Sequence, residues 1–526
     1  MGFFNNLLLV IRKHDRGIVI FILFVFCFLY FYNINGWLIN DDEGGYLYHA
    51  WRMSEGELPY RDFYSTKEPL FLYTGYLVFK FLGPDVSWIR FFTAIITIFT
   101  GFLIFLIGRR VYSYKVGLWS LFIYLILPVV YFQARYYRPD AYAVFFSTLG
   151  LFLFIKAWQS KKRLFFAYSG SFYAVSLGYK LSTTIGIVAL LVFILYQAVV
   201  EKRLRIISNV LFPFLGGFFA VIIILIFSLS KTAPLLLTCI FKHQLSQPPL
   251  AFNNLMLTLT NNIEEFFMIG PKQHGMRDGH PWLIIFSLPL AIRYLFSKNE
   301  IKRVFTFYIF NIYFILLAPY FNQILRYLLY LLPAVVLVFV DLSFSLFRYG
   351  RNILVKLCGV LMLIFILIKV IIPGLIKDGV LLCAKEDGTM AFAEYVKRHT
   401  TEDDYVVADY GDILFHARRK TTYLMAGMSQ SAVDNSVITS DKLINEFESY
   451  PVKMVLIHRE GGIPEKQGFF FGTPYAPHHF STLINSKDGS KFINYLREHY
   501  LLTDTFNRNG EIFDIYYKKE ALNPLK

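Results

Sequence analysis

The sequence predicts a helical protein that crosses a membrane many times and carries a soluble α/β domain at its C-terminal end. Three observations lead there. Of the 526 residues, 56% are hydrophobic and 19% aromatic, with a mean hydropathy of +0.48, which soluble domains do not reach. Apolar runs long enough to cross a bilayer recur through the first three quarters of the chain. From about Cys383 the composition turns to that of a soluble domain.

The first apolar run, Gly17–Tyr32, follows Arg12, Lys13 and Arg16, and no small-residue cleavage site follows it. It reads as a retained span with its N-terminal side in the cytoplasm. Further runs at about 91–108, 116–134, 141–158, 164–180, 183–200, 206–230, 281–297, 304–322, 327–347 and 353–376 each approach the ~20 residues of a spanning helix, giving about eleven spans. Charge agrees with that alternation. Every loop placed inside is basic: Arg109, Arg110 and Lys115; Lys161, Lys162 and Arg163; Lys202, Arg203 and Arg205; Lys298, Lys302 and Arg303; Arg348, Arg351 and Lys356. These loops also account for the net charge of +15, so nucleic acid is not an expected partner. An odd number of spans leaves the C-terminal segment outside. There, MAFAEYVKRHT (390–400) and KFINYLREHY (491–500) have helical spacing. YVVAD (405–409), PVKMVLIHR (451–459) and EIFDIYYKK (511–519) read as strands. The expected division is a membrane domain over 1–380, with a catalytic first outer loop over 34–86, and an extracytoplasmic α/β domain over 381–526.

The four cysteines, Cys27, Cys239, Cys358 and Cys383, have no metal spacing and no paired framework. His243, His49 and nearby acids could hold a metal, but their spacing indicates none, and no cofactor is required.

The chemistry concentrates in Asn40–Leu70, where Asp41, Asp42 and Glu43 follow directly on an apolar run. Ionisable groups at a membrane surface are costly and usually functional. Asn40 and Glu43 could form a capping box on a helix that lays Tyr46, Leu47, Ala50 and Trp51 on the interface. Capping accounts for one or two of the acids, which leaves a carboxylate to accept a proton from an attacking hydroxyl. Against the positive-inside pattern, Arg135, Arg138, Lys180, Lys231, Lys242 and Arg326 fall at outer helix ends, joined by Asp140 and His243. Each cation alone could be snorkelling to headgroups. As a ring at one face they suit a phosphate-linked lipid, whose phosphate they would bind and stabilise as a leaving group.

Asp42-Glu43-Gly44-Gly45-Tyr46, then GELPYRDF at 56–63 and Lys67-Glu68-Pro69-Leu70, resemble the first outer loop of the GT-C glycosyltransferases. The nearest group is the protein mannosyltransferase and aminoarabinose transferase family. The resemblance continues through Phe81-Leu82-Gly83, Arg90, Arg138-Pro139-Asp140, Leu177-Gly178-Tyr179-Lys180, and Arg326-Tyr327 to Leu332-Pro333, covering about residues 1–375. One departure is clear: the family's usual second proline is Glu68 here. The resemblance implies transfer of a sugar, with inversion, from a polyprenyl-phosphate carrier to an acceptor hydroxyl on a protein, lipid or glycan at the outer face of the cell membrane. It implies Asp42 as general base beside Glu43, and Lys67, Lys180 and Arg326 on the donor phosphate. Tyr46, Arg138, Asp140, His243 and Tyr327 would line the substrates. The competing reading is a transporter or flippase of a lipid-linked sugar. Such proteins keep their sites near the bilayer midplane and often show internal repeats, neither of which this chain displays. A membrane-anchored assembly factor would leave the Asn40–Leu70 loop unexplained.

Overall fold

The computed structural model describes residues 15–35, 41–230, 232–242, 280–311, 329–349, 352–373, 375–376, 379, 388–408, 411–429, 432–433, 436–458, 483, 488–508 and 511–522. The membrane part begins with α1 (Asp15–Phe31), followed by α2 (Asp41–Ser54), α3 (Pro69–Leu82) and α4 (Val86–Val111). Proline then punctuates the chain. Pro128 cannot continue the hydrogen-bond ladder, and Leu127 before it takes an extended conformation, so α5 (Tyr114–Ile126) and α6 (Pro128–Arg135) meet at 62°. Pro139 opens α7 (Pro139–Ser160) in the same way, with Arg138 extended before it. α8 (Arg163–Tyr179) ends at Lys180, and a 3-10 turn over Leu181–Thr183 leads into α9 (Thr184–Val199). The rest of the membrane part is α10 (Phe212–Ser228), α11 (His280–Leu295), α12 (Glu300–Phe310), α13 (Leu332–Tyr349) and α14 (Ile353–Ile366).

Among the described residues, five helices are long and apolar enough to cross a membrane, or six if the bent α5–α6 pair is one span. The chain is thus a multi-span membrane protein. Each of the eleven expected runs contains helix, although 304–322, 327–347 and 353–376 are described only in part. Several are shorter than a full span: Gly17–Phe31 and Trp282–Leu295 are apolar helices of this kind, as is Pro69–Leu82, which was not anticipated. The windows in Ile207–Ser228 and Ile353–Ile371 are only 11% and 17% buried, so these helices turn uninterrupted apolar surface outward, as lipid contact requires.

Beyond the membrane part, α15 (Thr389–His399), β1 (Tyr405–Ala408), α16 (Gly411–Ala417), α17 (Ser440–Ser449), β2 (Val452–His458), α18 (Gly489–His499), β3 (Tyr500–Arg508) and β4 (Glu511–Lys518) form a mixed α/β unit. The sheet order is β1-β2-β4-β3, with β1 parallel to β2 and the other pairs antiparallel. Three of the four strands are those expected. β3 was missed because it is an edge strand with most of its residues exposed, so its sequence has no buried alternation.

α2 does not lie on the interface as its amphipathic reading implied. Tyr46, Leu47, Tyr48, Ala50, Trp51, Arg52 and Met53 are all buried, on several faces of the helix. The C-terminal unit covers it. Gly44 lies against the start of α16, where an added Cβ would come within 2.7 Å of the Asp412 nitrogen. The Thr421 N–H donates to the Tyr48 hydroxyl at 2.8 Å, and Arg52 donates to the Thr421 carbonyl at 3.1 Å. His49 donates through Nε2 to the Ala426 carbonyl at 2.7 Å, and its ring stacks on Phe63. Further along the loop, the Tyr64 N–H donates to the Tyr423 carbonyl at 2.9 Å.

Candidate active site

Four stretches converge near the start of α2, and three of them are helix N-terminal ends: the first turn of α2, the Glu68-Pro69 entrance to α3, the Arg138-Pro139-Asp140 entrance to α7, and the Lys180-Leu181 junction. A helix N-terminus presents unpaired N–H groups and a positive dipole end, so each lowers the cost of placing a carboxylate there.

Asp42 is paired with Arg138 at 3.2 Å, the arginine side chain being 2% exposed and the aspartate 36%. Asp42 therefore combines a buried cation on one side with access from the other. Arg138 in turn lies over the ring of Phe132.

Glu43, the neighbouring acid, is held differently from Asp42. Its side chain is fully buried, and Arg90 grips it through two bonds, Nε to Oε1 at 2.9 Å and Nη2 to Oε2 at 2.6 Å. The Tyr137 N–H donates to the same Oε1 at 2.8 Å. Glu43, expected beside Asp42 as a catalytic acid, thus ties α2 to α4 and to the entrance of α7. Arg135 is also structural. Its guanidinium donates to the carbonyls of Leu29, Tyr32 and Asn33 at the C-terminal end of α1, where a cation complements the helix dipole. It leaves the expected ring of phosphate-binding cations.

Lys67 is oriented from several directions. The Tyr60 hydroxyl donates to its carbonyl at 2.5 Å, its N–H reaches the Ser65 hydroxyl at 3.3 Å, and its ammonium lies 5.1 Å from the centre of the Tyr46 ring. Proximity to Tyr46, and then to the Asp42 and Glu68 carboxylates, holds the Lys67 ammonium above its ordinary pKa against the opposing effect of burial. Tyr46 is itself fixed edge-on to Phe71.

Asp140 is buried in the first turn of α7 and accepts two bonds on Oδ1, from Lys180 Nζ at 2.7 Å and from the Tyr330 hydroxyl at 2.9 Å. Glu68 is the third carboxylate. Its Oε1 accepts the Leu181 N–H at 2.8 Å, and burial raises its pKa while that bond and the charges of Lys180 and Lys67 pull it back. Of the residues expected at the site, the structure thus brings together Asp42, Tyr46, Lys67, Arg138, Asp140 and Lys180. Lys231, His243, Arg326 and Tyr327 lie outside the described residues. Glu68 and Tyr330 were missed as site groups; the unusual residue at 68 was a signal for the first, whereas Tyr330 is one aromatic among many in an apolar run. No group of three or more His, Cys, Asp or Glu side chains among the described residues is arranged to hold a metal ion.

This architecture, a polytopic helical part capped by an α/β unit, has counterparts among proteins of known structure. Residues 66–229 match the family described as dolichyl-phosphate-mannose-protein mannosyltransferase. The resemblance carried by the short motifs is therefore present over that segment. Over nearly the whole length the chain shares its fold with ArnT from Cupriavidus metallidurans, solved bound to undecaprenyl phosphate: TM-score 0.55, 11% identity, covering 96% of this chain and 98% of that one. The oligosaccharyltransferase AglB of Archaeoglobus fulgidus, in complex with an inhibitory peptide and a dolichol-phosphate, gives a TM-score of 0.56 at 10% identity, covering 98% of this chain and 75% of that one. An uncharacterized protein of Aquifex aeolicus is 33% identical over 101 residues, which is 19% of this chain and 20% of that relative's length.

Proposed function

We propose that this protein is an inverting membrane glycosyltransferase that moves a sugar from a polyprenyl-phosphate carrier to an acceptor hydroxyl. One arrangement carries the reading: a partly accessible carboxylate, Asp42, held by the buried Arg138 beside Lys67 and the Asp140–Lys180 pair. Asp42 accepts the proton of the acceptor hydroxyl as its oxygen attacks the anomeric carbon. The bond from that carbon to the phosphate oxygen breaks, and the electron pair leaves with the phosphate. Lys67 and Lys180, with Arg326, stabilise the charge that develops there, so no acid is needed to protonate the leaving group. Arg138 orients Asp42, while Asp140 holds Lys180 in place and Tyr46 backs Lys67. His243 and Tyr327 complete the substrate-lining set. Eleven spans, a cytoplasmic N-terminus and an extracytoplasmic unit over 381–526 would put the site at the outer face of the cell membrane, where membrane lipids meet a protein, lipid or glycan acceptor.

The test is to incubate the purified chain with labelled polyprenyl-phosphate sugars. Release of polyprenyl phosphate together with a labelled acceptor is expected. Movement of intact donor across proteoliposomes without release would mark a transporter instead.

A further inference from the structure

Glu68 is the carboxylate at the site that the proposed chemistry does not use. It stands where the family pattern has a proline, and its backbone carries the chain straight from Lys67 into α3. Its side chain reaches the Leu181 N–H, which adjoins Lys180. The charged groups acting on it are Lys180 and Lys67, one on each side in the chain sense. Among the described residues, Glu68 joins Asp42 and Asp140 as a carboxylate close to Lys67, Arg138 and Lys180. A carboxylate therefore stands beside the lysines assigned to the donor phosphate.

The Glu68 charge acts unequally on donor and product. The donor is a phosphodiester with one negative charge. Transfer leaves a phosphate monoester, which carries nearly two above its second pKa of about 6. A fixed carboxylate beside the phosphate-binding lysines repels both, but it repels the product about twice as strongly. We infer that Glu68 sets which lipid phosphate the site retains, disfavouring the dianionic product relative to the monoanionic donor and so promoting product release. This rests on the glycosyltransferase reading above. At roughly 8 Å and an effective dielectric of about 20, one added unit of charge corresponds to roughly ten- to thirtyfold in affinity.

The substitution Glu68→Gln removes the charge and keeps an oxygen to accept the Leu181 N–H. Binding to the full chain in detergent at pH 8 would be measured with two probes: undecaprenyl phosphate, and its methyl diester, which bears a single charge. E68Q should tighten the monoester by about tenfold more than the diester. E68A, which also loses the hydrogen bond, should shift the ratio of the two affinities in the same direction even if both probes bind less well. Wild-type binding of both probes with an unchanged ratio in the two variants would overturn the role of Glu68 alone. Failure of the wild type to bind either probe would overturn it together with the glycosyltransferase reading.

Discussion

Asp42 and Glu43 are adjacent in sequence and opposite in circumstance, and substitution separates their roles. Asp42→Asn keeps size and shape, so folding should survive while transfer falls by about 10²–10⁴-fold, the usual cost of losing a general base. The measurement is release of polyprenyl phosphate at equal amounts of folded protein; unchanged turnover would remove Asp42 from the mechanism. Glu43→Gln should act the other way. It leaves the Arg90 guanidinium buried without its countercharge, which typically costs about 3–5 kcal/mol, so the expected result is a lower melting temperature in detergent. Rate per folded molecule should change far less than in D42N. The sequence could show three acids in a row but not which one faces a pocket. That depends on Arg90, forty-seven positions away, and on the main chain at Tyr137, ninety-four away.

At the level of elements, the acid-bearing helix α2 is held by the C-terminal unit, and two glycines show how closely. A Cβ on Gly44 would lie 2.7 Å from the Asp412 nitrogen, whereas one on Gly45 would meet nothing within 4 Å. Gly44→Ala should therefore cost about 1–3 kcal/mol through overpacking and lower activity as α2 or α16 shifts. Gly45→Ala should be neutral or stabilising, because alanine favours helix over glycine by about 1 kcal/mol. Thermal melting of the two variants side by side decides it, and equal effects would mean that this packing is not what holds α2. The same interface should respond to pH. Burial lowers the pKa of His49 from 6.5 to about 4, opposed by its bond to the Ala426 carbonyl. Below 6.5 the unfolded chain binds a proton that the folded one excludes, so stability is complete above that value and is lost as pH falls toward 4. By pH 5 the loss should be about 2 kcal/mol. A melting temperature that does not fall between pH 7 and pH 5, or falls equally in His49→Gln, would count against it.

For the whole molecule, the alternating basic loops predict that residues near Lys161–Arg163 are cytoplasmic and that the unit after Cys383 is outside. Cysteines engineered into the exposed edge strand β3 should react with a membrane-impermeant reagent in intact cells. Cysteines at 161–163 should react only after permeabilisation. The reverse pattern would invert the orientation and put the site on the cytoplasmic side.

Hydropathy by itself determined that this is a multi-span membrane protein. Lipid leaves a helix no alternative to being long and apolar, so that constraint is written locally. The same holds for the strands YVVAD and PVKMVLIHR, where consecutive buried residues, Val406–Ala408 and Met454–Leu456, produce short apolar runs. Asp42, Lys67, Arg138, Asp140 and Lys180 were legible because charge is conspicuous against an apolar background. Their pairing was not. Only the tertiary structure decided that Arg135 serves the end of α1, that Glu43 is consumed by Arg90, and that Glu68 and Tyr330 join Lys180 and Asp140. It also decided that α2 is buried beneath the C-terminal unit rather than laid on the interface. An ion pair or a buried face is a relation between distant segments, and the pattern of any one segment is compatible with several partners.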